Sequence, residues 1–289
     1  MKGSILSMEI FVHVASGFSK DAQGGNKAGV VFDVYQLTVA QKMYLANKLG
    51  YAETVFITQS RVADYQFEYF TPKEEVNLCG HATIGAFAIM EHLHKLSKVD
   101  YTIETKSGIL AISIKNEIVL MEQMKPVFGD VINPERFENC FDIKDIDKNY
   151  QIQIVSTGLK DILIPIKSET QLQALKPNFE AISAISADYN VVGLHLFAFN
   201  GDRIICRNFA PLYEINEEAA TGTSNGALSC YLYQHQYSRR DTYVIEQGAI
   251  LDSFSEIRVQ LKIDLQDKIN RVYVGGSGYL LETKRLTID

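Results

Sequence analysis

One order of elements is written twice in this chain. Tyr69-Phe-Thr-Pro72 follows two apolar, strand-like runs, residues 53–57 and 64–70, and Gly80 opens a helix without charge until Glu91 eight residues after Pro72. Asn208-Phe-Ala-Pro211 follows the runs 191–199 and 203–207, and Gly222 opens a second mostly uncharged helix eleven residues after Pro211. A helix apolar on every side is a buried one. Its first N–H groups, and the positive end of its dipole, then face the protein interior. Taken singly, each stretch reads as a core helix that happens to begin with small or polar residues. Taken together they predict a duplicated strand–strand–loop–buried-helix unit. Ligand pockets are common where such copies meet, and helix N-termini suit a carboxylate or an enolate oxygen. The chemistry suggested is proton movement beside a carboxylate, with no cofactor.

Composition narrows the function classes. A net charge of −7 argues against a nucleic-acid partner held on a basic surface. The four cysteines, Cys79, Cys140, Cys206 and Cys230, are widely spaced and include no C-x-x-C pair. That excludes a zinc knuckle or disulfide framework by spacing and fits a reducing cytosol. No apolar run approaches a membrane span. Glu9 and His13 interrupt the apolar stretch near the N-terminus, so residues 1–7 are read as an extension before a strand rather than a signal peptide. The expectation is a cytoplasmic protein.

Along the chain, residues 8–14 predict a strand and residues 15–25 a polar connection. Gly24-Gly-Asn-Lys-Ala-Gly29 lacks the Lys-Ser/Thr of a phosphate loop and reads as a turn feeding a strand. Thr38 and Gln41 form a capping box before a helix that Gly50 ends. Residues 108–114 and 117–124 predict a hairpin. Lys125-Pro126 suggests a boundary: a first half over 1–127, with 278–289 able to return and pack on it, and a second half over 128–277. Pro177 is expected to open a short helix through Ile185, and 279–288 a final strand pair.

The chain resembles the phenazine-biosynthesis PhzF-like family. Gly25-Asn-Lys-Ala-Gly-Val-Val31, Glu53-Thr-Val-Phe-Ile57, Phe70-Thr-Pro72, Leu78-Cys-Gly-His-Ala-Thr83, Val155-Ser-Thr-Gly158, Ala220-Thr-Gly222 and Glu246-Gln-Gly248 occur in the family's order. The resemblance implies an α/β (α+β) fold of the diaminopimelate epimerase type: two similar halves, each wrapping strands around a central buried helix, with the active site in the cleft. It implies an isomerase acting by acid–base proton transfer on a small carboxylate-bearing metabolite, without cofactor or metal, in a homodimer.

The resemblance also assigns roles. Glu53 would carry the proton, His81 would be an active-site residue, and Glu218 would stand for the family's second-loop acid. Thr223 would contact substrate, and Gly80 and Gly222 would offer backbone N–H groups to its carboxylate. Asn26 reads first as a turn residue and second as one lining the cleft. The chain departs from the family pattern at Lys27, at Glu218-Ala219 for Asp-Pro, at Thr223-Ser-Asn225 and at Ser253-Phe254.

Each residue also has a plainer reading. Glu53 could be a surface carboxylate, and burial in a cleft is expected to raise its pKa. His81 could orient Glu53 or donate to an oxyanion. One of Glu217 and Glu218 could serve only the helix N-terminus, and Thr223 could be only its N-cap. Cys79 has no thiol opposite it near Thr221, which disfavours a two-thiol racemase. Two rival functions stay open: an amino-acid racemase or epimerase pairing Cys79 with Glu53, and a binding or scaffold protein that kept the fold. His92 and His94 do not share a helix face, and no metal is expected.

Overall fold

The computed structural model describes residues 8–288, so the predicted N-terminal extension lies outside the described residues. The chain divides into two compact units. The first holds residues up to 22, 26–121 and 276 onward; the second holds 23–25 and 122–275.

In the first unit, β1 (Met8–Ser19), β2 (Asn26–Phe32), α1 (Val39–Leu49), β3 (Glu53–Gln59), β4 (Tyr65–Phe70), β5 (Glu75–Val76), α2 (Gly80–His92), β6 (Asp100–Thr105), β7 (Gly108–Lys115) and β8 (Ile118–Gln123) follow in order. Strand β2 runs parallel to β3, β3 antiparallel to β4, β4 parallel to β6, and β6 antiparallel to β7. The capping box at Thr38 starts α1, and Gly50, at φ 69°, ends it.

The second unit repeats these pairings. Strands β9 (Val127–Val131), β10 (Gln153–Ser156) and β11 (Lys160–Pro165) lead through α3 (Glu169–Ala174) and α4 (Phe179–Tyr189) to β12 (Gly193–Asn200) and β13 (Arg203–Ala210). Then come β14 (Ile215–Glu218), α5 (Gly222–Gln234), β15 (Thr242–Gln247), β16 (Ser255–Ile263) and β17 (Ile269–Ile288), whose residues from 276 onward belong to the first unit. Strand β11 runs parallel to β12, β12 antiparallel to β13, β13 parallel to β15, and β15 antiparallel to β16.

Helices α2 and α5 are buried almost throughout, as residues without charge on any face must be. Gly85 of α2 faces Ala15 so closely that a Cβ would stand 2.7 Å from the alanine's own, so only glycine lets this helix settle on β1. Around α4, Ile182, Ile185, Phe209 and Leu194 join one apolar core of the second unit.

Three local expectations are corrected. Strand β1 continues to Ser19 instead of yielding to a connection at residue 15, because its second half pairs with both β2 and the C-terminal run 277–288. Helix α4 starts after Asn178, whose side chain accepts from Ala181 N, and runs to Tyr189, where left-handed Asn190 caps it. The final strand pair is one continuous strand, β17. Among the described residues, no helix is long and apolar enough to cross a membrane.

Candidate active site

Glu53 is the first residue of β3, on the rung opposite Ala28 of β2. The methyl group of a fully buried alanine leaves room there for a longer carboxylate. His81 is the second residue of α2 and is 5% exposed. Its Nε2 stands 3.1 Å from Glu53 Oε2. The ring N–H does not point along that line, so the contact is a close ion pair, and no protein donor is aligned on buried Oε2.

Two further groups converge on the imidazole. Cys79 Sγ lies 3.5 Å from Nδ1 and 3.6 Å from Nε2. The Asn26 carboxamide stands 3.3 Å from Nδ1, measured to Nδ2. Against an imidazolium, the amide rotamer with oxygen inward is the one that can accept Nδ1–H. Asn26, at the start of β2, therefore touches the cluster as well as closing a turn.

Burial pushes the Glu53 carboxyl up, but the His81 ion pair and Cys79 outweigh it and hold the pKa below the ordinary glutamate value. The expectation of a raised value is corrected: its charge partner is closer than the sequence could show. Burial disfavours the imidazolium of His81, yet the Cys79 sulfur and Glu53 carboxylate hold its pKa well above that of a free histidine. Burial and the Glu53 charge push the Cys79 thiol up to about 11. The resting cluster is thus a carboxylate, an imidazolium and a neutral thiol. Glu53, Cys79 and His81 bring donor atoms within 4.8 Å of one another, so the trio could also hold a metal ion.

The start of α2 is secured without a conventional cap. Cys79 occupies the N-cap with no side-chain bond to the first turn, and that turn carries no acidic residue. Thr83 instead donates its hydroxyl to Cys79 O at 2.7 Å and meets the Tyr69 hydroxyl at 2.6 Å. The N–H groups of Gly80 and its neighbours are left without competition from a capping side chain.

In the second unit, Glu218 ends β14 and its Oε2 accepts from Thr221 Oγ1 at 2.6 Å. Thr221, not Thr223, is the N-cap of α5, a correction that comes from where the helical backbone begins. Thr223 contributes its carbonyl to Thr157 Oγ1 at 3.1 Å. Gln247 ties this corner together, donating to Glu218 O at 2.8 Å and Thr221 Oγ1 at 3.0 Å. Its Oε1 accepts from Thr221 N at 3.2 Å and Asn225 Nδ2 at 2.8 Å.

The ambiguity of the two glutamates resolves at Arg207. Glu217 takes both arms of that guanidinium at 2.8 Å, while Arg207 also donates to Leu172 O and Leu175 O. Glu217 is a structural anion and Glu218 addresses the mouth of α5.

Residues assigned no site role from the sequence complete this corner. Asn208 donates to His195 Nδ1 at 3.1 Å and to Ser224 Oγ at 3.2 Å. His195 Nε2 meets Asn225 Oδ1 at 3.2 Å, and burial pulls its pKa down to about 4, so it is neutral. Ser224 donates to Asp161 Oδ2 at 2.7 Å. The available signals were a histidine inside the apolar run 191–199 and an aspartate just before the apolar run 162–166.

The structure therefore brings Asn26, Glu53, Cys79, Gly80 and His81 together in the first unit. Glu218, Gly222 and Thr223 fall along one strand–helix junction of the second.

Comparison with known proteins shows which family the chain resembles. Residues 15–283 match the family model described as PhzC-PhzF, phenazine biosynthesis-like protein. An isomerase of Clostridium acetobutylicum, itself named uncharacterized, is 32% identical over 94% of this chain and 96% of its own. The trans-2,3-dihydro-3-hydroxyanthranilate isomerase of Pseudomonas chlororaphis is 26% identical over 92% of this chain and 95% of its own. The crystal structure of a phenazine biosynthesis protein of the PhzF family from Bacillus anthracis superposes with a TM-score of 0.88 at 27% identity, covering 97% of this chain and 100% of that one.

Proposed function

The chain belongs to the PhzC-PhzF, phenazine biosynthesis-like family and is an isomerase of that family; from that premise we propose that it moves a proton on a small carboxylate-bearing metabolite, with Glu53 as the group that carries it. The observation that supports this most is the Glu53–His81 pair. A base must be ionised at working pH and must present an oxygen not already engaged by an aligned donor. Glu53 meets both conditions: its pKa is depressed, and Oε2 has no aligned protein donor.

In this proposal His81 holds the carboxylate ionised and takes up the change in charge when Glu53 is protonated. Gly80 offers its backbone N–H to the substrate carboxylate, at the positive end of α2. Glu218, Gly222 and Thr223 join as substrate-contacting groups of the second unit, and Asn26 steadies His81. The chemistry draws on side chains and backbone alone, in the cytoplasm, in a homodimer. A thiol with pKa about 11 is a poor base at neutral pH, which weighs against Cys79 as partner to Glu53.

A screen for solvent deuterium uptake into small unsaturated and amino carboxylates tests the proposal. Trans-2,3-dihydro-3-hydroxyanthranilate, the compound in the Pseudomonas relative's name, belongs in the set. Uptake at carbon in at least one compound is expected; none across the set, with folded protein, would overturn it.

A further inference from the structure

Each unit places a carboxylate on the same rung of its parallel strand pair. In the first, Glu53 of β3 stands opposite Ala28 of β2. In the second the equivalent rung pairs Asp161 of β11 with Gly193 of β12. The acid has changed strands and again faces a residue with little or no side chain. No larger residue fits opposite, since a Cβ on Gly193 would lie 1.9 Å from Phe209 O.

Asp161 is 1% exposed. Its Oδ2 accepts from Ser224, while Oδ1 has no aligned donor and only the Gly193 backbone N–H beside the carboxyl. Ser224 lies three residues after Thr221, the N-cap that donates to Glu218. Side chains three apart share one helix face, about 5–6 Å between Cβ atoms. Two carboxyl groups are thus tied to adjacent hydroxyls on one side of the α5 entrance. Of the side chains bonded in this corner, His195 of β12 is neutral and Asn208 of β13 and Gln247 of β15 carry no charge, while Glu217 beside Glu218 is paired with Arg207.

We propose that Asp161 is a positioning acid of the isomerase site, protonated at rest and coupled to Glu218 through the two hydroxyls of the α5 entrance. The proton resides on Asp161, while Glu218 accepts from Thr221. An ionised Asp161 would be a buried charge facing the like charge of Glu218. Burial and the Glu218 charge push Asp161 up to about 7, in keeping with this geometry. Asp161 acts through Ser224 and Glu218 and need not touch substrate. This role rests on the isomerase proposal, whereas the proton on Asp161 does not.

Carboxyl carbon NMR of protein labelled with 13C-aspartate reads the proton directly, without substrate. Asp161 is expected to titrate near neutrality. Its midpoint should fall by about one pH unit or more in Glu218→Gln, as coupled sites require. Ser224→Ala, which removes a bond favouring the ionised form, should raise it. An Asp161 midpoint in the ordinary aspartate range, or one unmoved by Glu218→Gln, would overturn the proposal. Once an exchanging substrate is in hand, Asp161→Asn should remove the ionisation near neutrality from the exchange-against-pH profile. A profile that overlays the wild type would count against Asp161 alone. Absence of exchange in the wild type, with the NMR coupling intact, would count against the isomerase proposal alone.

Discussion

His81 Nε2 lies 3.1 Å from Glu53 Oε2, joining the start of a buried helix to the first residue of a strand 28 positions earlier in the chain. The pair fixes both protonation states, and the pH behaviour follows from the two shifts. Glu53 is held below its ordinary pKa and His81 well above its own. Exchange activity should therefore show no ionisation of Glu53 or His81 across neutrality, where the one step expected is that of Asp161. It should fall on the acid side through the depressed Glu53 value and on the alkaline side only as His81 loses its proton. A profile with a single rise near pH 6.5, the value of an unperturbed histidine, would contradict the pairing.

Cys79 touches His81 without a demanding role in proton transfer. Replacing Cys79 by Ser should leave deuterium uptake within about threefold of wild type, and the thiol should react slowly with iodoacetamide at pH 7 because so little is thiolate. Loss of a hundredfold or more in Cys79→Ser would restore the thiol–carboxylate racemase.

Asp161 makes stability pH-dependent in the direction opposite to Glu53. Its folded pKa, about 7, lies above the unfolded value of 3.8, so the folded state binds the extra proton. Stability from this group is complete below pH 3.8 and is lost as pH rises through about 7. The loss is on the order of 4 kcal/mol at most. Urea unfolding of Asp161→Asn should show a flatter stability curve over that window and a gain over wild type above it. Parallel curves for the two proteins would contradict a raised pKa.

Arg207 and Glu217 are each under a tenth exposed and bond through both arms. Removing one partner strands a buried charge, so Arg207→Ala should cost about 3–5 kcal/mol in chemical unfolding. A cost below about 1 kcal/mol would show the pair to be solvated.

Gly17 of β1 runs against the first turn of α2, where a Cβ would lie 2.2 Å from the carbonyl oxygen of His81. Gly17→Ala must displace that turn. It should destabilise by about 1–3 kcal/mol and lower exchange activity well beyond the loss of folded protein. Unchanged activity in a stably folded Gly17→Ala would show that His81 tolerates displacement.

The repeat and the buried helices were legible because burial demands uncharged residues, and that demand is written locally in 82–90 and 222–234. Glu53 and His81 were legible only as parts of motifs. Their contact, and the depressed pKa it brings, depends on strand register, which a local pattern does not carry. The second unit hid more. Asp161, His195, Asn208 and Gln247 come from four strands and meet only in the folded unit. Three positions where the second loop departs from the family pattern, Glu218, Ser224 and Asn225, all bond within that corner. The departures thus form one connected set, which reading them singly could not reveal.

The most direct test of Glu53 as the proton carrier is solvent deuterium uptake into a bound substrate by Glu53→Gln, an isosteric change that removes the base. Uptake should fall by at least about a thousandfold, with substrate affinity within a few-fold of wild type. Uptake at the wild-type rate in Glu53→Gln would contradict the account.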